Sequence, residues 1–198
     1  MHAGLTAGVS IIPINKATKR PSVSEWKPYQ NKRASEKMLN HWLATHEAFA
    51  AVCGKISGGL EIIDFDANLD AKPQPYTSEE FWDAWRNAPQ VSAILERYPF
   101  AIQRTGGGGY QVAYRCHAPG GNQKLAWIPD ATQEHGRSIA IETRGEGGYA
   151  VIAPSLHPSG NRYEMLQGSF ADIPTITQDE RNALLDAARP LCLMPYTK

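Results

Sequence analysis

The chain has 198 residues, 42% hydrophobic and 20% charged, which suffices for one domain with a buried core. Its 20 basic residues balance 20 acidic residues, which excludes a whole-domain positive field that would attract nucleic acid. No stretch approaches the roughly eighteen apolar residues of a membrane span, and the N-terminus lacks a signal-peptide pattern. We therefore expect a cytoplasmic protein with no membrane partner.

Apolar runs and turn signals predict short elements in the first half. In order, these are a strand over 8–14, a helix over 35–45, and strands over 49–53 and 60–66. After a loop containing Pro73 and Pro75, Thr77-Ser-Glu-Glu80 matches a capping box that begins a helix. The aromatic residues of this helix are typical of a core-facing side. Pro89 ends or kinks it before a second helical stretch.

The second half is dominated by β signals separated by glycines. The predicted strands cover 100–104, 110–115, 138–142, 149–153 and 162–166. A second capping box, at Thr177, begins a last helix that stops near Pro190. The pattern predicts a single α+β domain over residues 1–198, built on a mainly antiparallel sheet.

Three cysteines, Cys53, Cys116 and Cys192, are widely spaced and odd in number. This pattern fits neither a disulfide scaffold nor a CxxC zinc site. We expect buried or half-buried free thiols.

Positive charge is concentrated near the N-terminus. Between residues 16 and 33, the single acid Glu25 is set against six basic residues: Lys16, Lys19, Arg20, Lys27, Lys32 and Arg33. Such a run is usually a solvated loop, and it can also contact the phosphates of a nucleic acid. Both interpretations stay open. If the run contacts phosphates, Lys16, Lys19 and Arg20 are the candidate nucleic-acid contacts.

The strand over 60–66 ends in two acids. Side chains alternate between the faces of a strand, so Ile62, Asp64 and Asp66 share one face. Two carboxylates on one face of an apolar strand repel each other and resist burial. A divalent cation such as Mg²⁺ would relieve both costs, and a solvated strand end would also accommodate the pair.

Glu142 ends another apolar strand in the same way. If the two strands are neighbours, three carboxylates converge at one edge of the sheet. Such a cluster can hold two metal ions that activate an attacking hydroxyl and stabilise the leaving oxygen of a phosphate transfer. The sequence by itself does not establish that the strands are adjacent.

Four glycines, Gly106 to Gly109, separate two predicted strands. A tight hairpin with positive φ needs only one or two. Four in a row suggest that the backbone also leaves room for a ligand, because bare N–H groups suit phosphate. The run is not a Walker loop, since no Gly-Lys-Ser or Gly-Lys-Thr follows.

In this order, the pieces resemble the bifunctional DNA primase–polymerase (prim-pol) family of the archaeo-eukaryotic primase superfamily. The resemblance rests on Leu60-Glu-Ile-Ile-Asp-Phe-Asp66, on Arg104-Thr-Gly-Gly-Gly-Gly-Tyr-Gln-Val-Ala-Tyr114 and, most specifically, on the stretch from Glu142 to Gly160. It covers residues from about 8 to 165. It implies a two-lobed primase-like fold whose catalytic lobe is similar to an RNA-recognition sheet.

Carried over residue by residue, the family pattern makes Asp64, Asp66 and Glu142 the catalytic ligands of Mg²⁺ or Mn²⁺. The family's second motif usually ends in a histidine that contacts the nucleotide triphosphate. Here the aligned tripeptide is Gly109-Tyr110-Gln111. Glutamine can donate a hydrogen bond to a phosphate oxygen, but it cannot carry positive charge. This departure puts efficient polymerisation in question and leaves the predicted metal site unchanged.

Further nucleotide contacts are expected around these motifs. In the loop after Glu142, Ser155 and His157 are candidates for nucleotide contact, although His157 could instead be a hydrogen-bonded loop histidine. A nucleophilic role is not expected for Ser155, because no nucleophile elbow surrounds it. Arg144 is a candidate for the triphosphate, because guanidinium binds phosphate bidentately, and it could equally pair with Glu146. The remaining candidates for nucleotide binding are Gly109, Lys124 and Arg104.

The resemblance implies two-metal, template-directed nucleotidyl transfer on single-stranded DNA, with NTPs or dNTPs, in plasmid- or phage-type replication. It also raises the expectation of a helicase domain or partner, with this chain as the N-terminal module of a larger replication protein. Two other functions stay open. One is a metal-dependent nuclease that uses the same carboxylates. The other is a catalytically weakened nucleotide- or nucleic-acid-binding module, which Gln111 favours.

Overall fold

The computed structural model describes residues 8–66 and 77–194, in which nine strands form two sheets. The strands are β1 (Ser10–Pro13), β2 (Phe49–Val52), β3 (Leu60–Phe65), β4 (Ala101–Arg104), β5 (Tyr110–Arg115), β6 (Lys124–Pro129), β7 (Arg137–Arg144), β8 (Tyr149–Ile152) and β9 (Glu164–Gln167). The α-helices are α1 (Glu36–Thr45), α2 (Ser78–Arg86), α3 (Pro89–Arg97) and α4 (Gln178–Ala188). The predicted loop at Pro73 and Pro75 lies outside the described residues.

The larger sheet has six strands in the order β6-β7-β3-β5-β4-β9, and the smaller sheet has three in the order β1-β2-β8. Neighbouring strands run antiparallel in both sheets. This confirms the predicted mixture of helices with mainly antiparallel sheet. All of β3 is buried, as expected for a central strand that is covered on both faces.

Helices α2, α3 and α4 pack on one face of the larger sheet. The predicted capping boxes begin α2 at Thr77 and α4 at Thr177. Pro89 is the first residue of α3. At this position an N–H group has no partner within the helix, so the missing N–H of proline costs no hydrogen bond. Trp85 of α2 is fully buried in the core that these elements share, and its indole N–H donates to the Leu184 carbonyl at 2.8 Å. The predicted core role of the α2 aromatic residues is confirmed.

The opposite face of the larger sheet packs against the smaller sheet and α1. Leu60 and Ile62 of β3 share a core with Phe49 of β2 and Trp42 of α1. Because side chains alternate along β3, Asp64 lies on this same face. The end of β3 therefore carries a carboxylate into the space between the two sheets.

The arrangement of strands differs from the sequence prediction in two places. Strand β6 is not predicted, and its pairing with β7 contains register shifts that blur the period-two pattern. Residues 145–148 join β7 to β8, and these two strands lie in different sheets rather than in the single predicted sheet: β7 belongs to the larger sheet and β8 to the smaller one. This connection therefore carries the chain from one sheet to the other.

The composition-based expectations can be compared with the structure for two features. The described cysteines are free thiols: Cys53 and Cys116 are buried and Cys192 is half-buried, as predicted. Within residues 8–66 and 77–194, every helix is too short or too polar to cross a membrane.

Candidate active site

A row of polar residues crosses the centre of the larger sheet. Asp64 of β3 lies directly opposite Glu142 of β7 on one side and Gln111 of β5 on the other. Residues directly opposite each other in antiparallel strands have their side chains on the same face. The two strands that carry Asp64 and Glu142 are therefore neighbours, as the predicted convergence of the carboxylates requires.

Asp64 is the most perturbed group of this row. Its side chain is buried, with 7% of the residue exposed, and its Oδ1 atom has no hydrogen-bond partner among residues 8–66 and 77–194. Burial and then the charge of Asp66 raise the pKa of Asp64 from its usual 3.8 to about 7. The charge of Glu142 adds to this rise, whereas Arg144 and a hydrogen bond from Gln111 oppose it. A buried carboxylate with an unpartnered oxygen is unfavourable unless a cation or a proton neutralises it.

Asp66 follows the last residue of β3 and is exposed. Its backbone N–H donates to the Ala140 carbonyl of β7 at 3.0 Å, so the larger sheet also fixes its position. Asp64 and Asp66 both line one cleft between the sheets. The predicted shared face of the two acids therefore opens toward a space that can hold a ligand.

Glu142 is paired with a cation of the protein itself. Its Oε1 atom forms an ion pair with the Arg144 guanidinium. Arg144 therefore pairs with Glu142 and not with Glu146, the partner that the sequence analysis gave as an alternative. Burial raises the pKa of Glu142, while Arg144 beside it acts in the opposite direction. In the described part of the chain, no three His, Cys, Asp or Glu residues are already gathered as a metal-ligand cluster.

The donor set nevertheless fits a hard divalent cation. Carboxylate oxygens are the ligands that Mg²⁺ and Mn²⁺ prefer, and no described residue donates a hydrogen bond to the Oδ1 atom of Asp64. Asp66 supplies a second carboxylate in the same cleft. Glu142 lies directly opposite Asp64 but is paired with Arg144 and is not among the described residues that line the cleft, so its role as a third ligand stays a prediction.

Basic residues line the same cleft, whose volume is about 360 Å³. Lys19, Arg20 and Arg144 lie in its wall together with the two aspartates. Lys16, in contrast, forms an exposed ion pair with Glu47 at 2.5 Å. The structure thus brings two of the three predicted nucleic-acid contacts to the acids, together with a positive charge suited to phosphate.

The glycine run is explained largely by close packing. A side chain at Gly109 would overlap with the Phe65 carbonyl at the end of β3, and Gly108 has a φ of +91°. The N–H of Gly109 donates to Thr105 Oγ1 at 2.9 Å, and that of Gly108 to the Thr105 carbonyl at 2.9 Å. Both N–H groups are thus used inside the turn, and a nucleotide contact at Gly109 stays a prediction.

Ser155 and His157 are both buried and hold the loop after β8. Ser155 Oγ accepts from the Phe49 N–H at 2.8 Å and donates to the Phe49 carbonyl at 3.1 Å. His157 Nδ1 lies 2.8 Å from Ser159 Oγ, and its ring packs against the glycine run. Neither is among the described residues that line the cleft with the aspartates. Their nucleotide contacts stay predictions.

The two remaining basic candidates, Lys124 and Arg104, are not among the described residues that line the cleft with the aspartates. Lys124 is directly opposite Glu142 in the sheet, and its Nζ atom lies 4.9 Å from the centre of the Trp127 ring. Arg104 packs on the Tyr110 ring and lines a second cavity of about 810 Å³. Both stay predictions as nucleotide contacts.

The structure adds residues that the sequence analysis does not single out. Asn122 and Tyr163 line the cleft with the aspartates, and Gln103 is fully buried beside Gln111. One signal in the sequence could have found Gln103: it is a polar residue in an apolar strand, like Gln111 in the next strand. No pattern in the sequence distinguishes Asn122 or Tyr163, because they come from a loop and from the approach to β9.

The comparison with known protein families agrees with this geometry. A family model described as "Bifunctional DNA primase/polymerase, N-terminal" matches residues 2–177. This match covers most of the chain, including the row of polar residues and the cleft. No curated protein matches the chain.

Proposed function

Because the chain belongs to the bifunctional DNA primase/polymerase family, we propose that it performs template-directed nucleotidyl transfer on single-stranded DNA. In this reaction, the oxygen of a 3′-hydroxyl attacks the α-phosphate of an incoming nucleotide, and pyrophosphate leaves. Asp64, Asp66 and Glu142 would hold two Mg²⁺ or Mn²⁺ ions. When bound, these ions would lower the cost of charge on the attacking and leaving oxygens.

The buried Asp64 carboxylate carries this proposal. This acid lies between Glu142 and Gln111 in the sheet, and no described residue makes a hydrogen bond to its Oδ1 atom. Such a buried acid lowers the stability of the fold unless it binds a ligand. It lies in a cleft that also presents basic side chains. Carboxylates beside basic groups in one cleft are suited to binding a cation together with an anionic phosphate.

The basic residues of the cleft have the complementary task. Lys19 and Arg20 would bind phosphates of the nucleotide or of the template, where their charge opposes that of the substrate. Arg144 would exchange the Glu142 carboxylate for a substrate phosphate, which guanidinium binds bidentately. Gln111 would donate a hydrogen bond to the Asp64 carboxylate or to a substrate oxygen.

Two finer parts of the proposal concern the architecture. The order β7-β3-β5-β4 within the larger sheet, with α2 and α3 between β3 and β4, supports a catalytic lobe similar to an RNA-recognition sheet. A two-lobed arrangement, a plasmid- or phage-type setting and a helicase domain or partner follow from the family resemblance alone.

A primer-synthesis assay tests the proposal. Wild-type protein, Asp64→Ala and the control Asp186→Ala are incubated with single-stranded DNA, Mg²⁺ or Mn²⁺, and labelled NTPs or dNTPs. Both unprimed and primed strands are used, so that priming and extension are measured separately. Asp186 is an exposed acid of α4, so its loss should leave synthesis unchanged. We expect product and pyrophosphate from wild type and from Asp186→Ala, and none from Asp64→Ala. Equal synthesis by Asp64→Ala would contradict the metal site.

The same reactions distinguish the two other functions. A nuclease would shorten the strand without added nucleotides, and Asp64→Ala would abolish that cleavage. A binding module would retain nucleotide or DNA in a binding assay and would make no product, even with Mn²⁺. Gln111 motivates this second alternative, because it cannot supply the charge of the family's usual histidine.

A further inference from the structure

Gln103 of β4 is a fully buried side chain that joins both sheets to the polar row. Its Nε2 group donates to the Val151 carbonyl of β8 at 2.8 Å, and its Oε1 atom accepts from the Ala153 N–H at 2.8 Å. The Nε2 group also donates to Gln111 Oε1 at 2.5 Å. These three bonds use both N–H groups of the amide and one lone pair of its oxygen.

The backbone dictates how this amide is oriented. A carbonyl can only accept and an N–H can only donate, so Val151 and Ala153 fix which end of the Gln103 amide faces each of them. Rotating the amide by 180° would place oxygen against oxygen at Val151 and N–H against N–H at Ala153. Unmade hydrogen bonds are expensive in a buried place. The orientation is therefore set by groups that cannot change.

The fixed amide in turn fixes Gln111. Because Gln103 donates to Gln111 Oε1, the Nε2 group of Gln111 is the end that remains for other partners. Gln111 lies directly opposite both Gln103 and Asp64 in the sheet, so this end is presented toward the Asp64 carboxylate. A rotated Gln111 would turn its oxygen toward that carboxylate and would repel it.

We propose that Gln103 is a positioning residue that makes Gln111 an obligate hydrogen-bond donor at the candidate active site. Gln103 itself does not line the cleft among the described residues and acts through Gln111. Glutamine, unlike protonated histidine, can donate from only one end of its polar group. A glutamine at position 111 therefore needs a partner that selects that end, and Gln103 is this partner.

The orientation can be measured without any enzymatic activity. In ¹⁵N-labelled protein, the side-chain NH₂ signals of Gln111 are assigned by their loss in Gln111→Met. We expect them to exchange slowly with solvent in wild type. In Gln103→Met, which keeps the length of the side chain and removes its polar atoms, the same signals should shift and exchange at least tenfold faster. Unchanged Gln111 signals in Gln103→Met would overturn the proposal.

Gln103→Glu supplies a second variant of nearly the same shape. Its carboxylate can still accept from the Ala153 N–H but cannot donate to Gln111 Oε1 or to Val151. Gln111 should then rotate to donate to residue 103 and turn its oxygen toward Asp64. We expect a larger displacement of the Gln111 signals than in Gln103→Met. A smaller displacement than in Gln103→Met would overturn the predicted rotation and with it the proposal.

The activity arm rests on the proposed function. Gln103→Met should lower kcat/KM for the nucleotide on the order of tenfold, the factor expected for one hydrogen bond to a charged group. In a Gln111→Met background, the same change should alter kcat/KM less than twofold, because Gln103 acts through Gln111. Full additivity of the two substitutions would overturn the proposal. If wild type makes no product at all, the proposed function fails, and the NMR signals still decide the role of Gln103.

Ser57→Ala is the matched control for simple destabilisation. Ser57 is also buried, and its Oγ atom accepts from the Ser10 N–H at 2.8 Å and donates to the Val52 carbonyl at 2.5 Å. Neither of these two hydrogen bonds involves Gln103 or Gln111. We expect Ser57→Ala to lower the thermal midpoint as Gln103→Met does, with the Gln111 signals unchanged. Gln111 signals that respond equally to both variants would reduce Gln103 to a structural role and overturn the proposal.

Discussion

Replacing Asp64 with asparagine should stabilise the metal-free protein at neutral pH while it destroys the proposed metal site. The Asp64 carboxylate is buried, and in the described part of the chain its Oδ1 atom has no hydrogen-bond partner. Burial and the nearby charge of Asp66 raise the pKa of Asp64 to about 7. Asparagine has nearly the same shape and no charge, so the folded protein no longer has to accommodate a buried anion.

The direction of the pH dependence follows from proton binding. An acid whose pKa is higher in the folded state binds its proton more tightly when folded. The contribution of this proton to the free energy of unfolding is complete below the pKa of the acid in the unfolded state. It is lost as the pH rises through the pKa of the acid in the folded state. For Asp64, this window extends from the usual 3.8 to about 7. At about 1.4 kcal/mol per pH unit, the loss is at most about 4 kcal/mol. The amide must also find partners, so we expect a net gain of roughly 1–3 kcal/mol for Asp64→Asn above pH 7.

Urea unfolding in the presence of EDTA, at several values between pH 5 and pH 8, measures this difference. The free energy of unfolding of Asp64→Asn should exceed that of wild type by an amount that grows with pH. Asp186→Asn, at an exposed acid, should show no such trend. In a parallel series without EDTA, added Mn²⁺ should stabilise wild type and not Asp64→Asn, because only wild type gains a ligand bound to the folded state. A difference that stays constant between pH 5 and pH 8 would refute the reasoning.

Three further predictions concern the core, the glycine turn and the cleft. Arg181→Leu leaves the fully buried carboxylate of Glu61 without its ion pair, and urea unfolding should show a loss of about 3–5 kcal/mol. Gly109→Ala brings a methyl group against the last carbonyl of β3 and should lower stability by about 1–3 kcal/mol. Gly121→Ala, with its nearest neighbour at 4.0 Å, should change little in the same measurement. Arg20→Ala should raise the nucleotide KM or weaken DNA binding several-fold, most strongly at low salt, and an unchanged salt dependence would contradict a phosphate contact.

Local patterns in the sequence predict most of the individual elements. The capping boxes at Thr77 and Thr177 and the alternation along β3 depend on neighbours a few residues apart. Local hydrogen bonds and the strand period set these features, so they can be read without the fold. The acids at the ends of two apolar strands were detectable for the same reason. Strand β6 was missed because its register shifts break the period on which such reading depends.

Tertiary structure decided which residues meet. The sequence shows Asp64 and Glu142 as two separate strand ends, and only the pairing of β3 with β7 places them opposite each other. Arg144 pairs with Glu142 rather than Glu146, because residues two apart in a strand share a face, and Glu146 lies beyond the end of β7.

The same limit applies to Gln103. Its partners Val151 and Ala153 are some fifty residues away along the chain, and they meet it only where the two sheets face each other. The sequence by itself therefore determined which chemical groups the protein has and on which face of each strand they lie. The long-range pairing of strands, which no local propensity encodes, decided that these groups form one cleft.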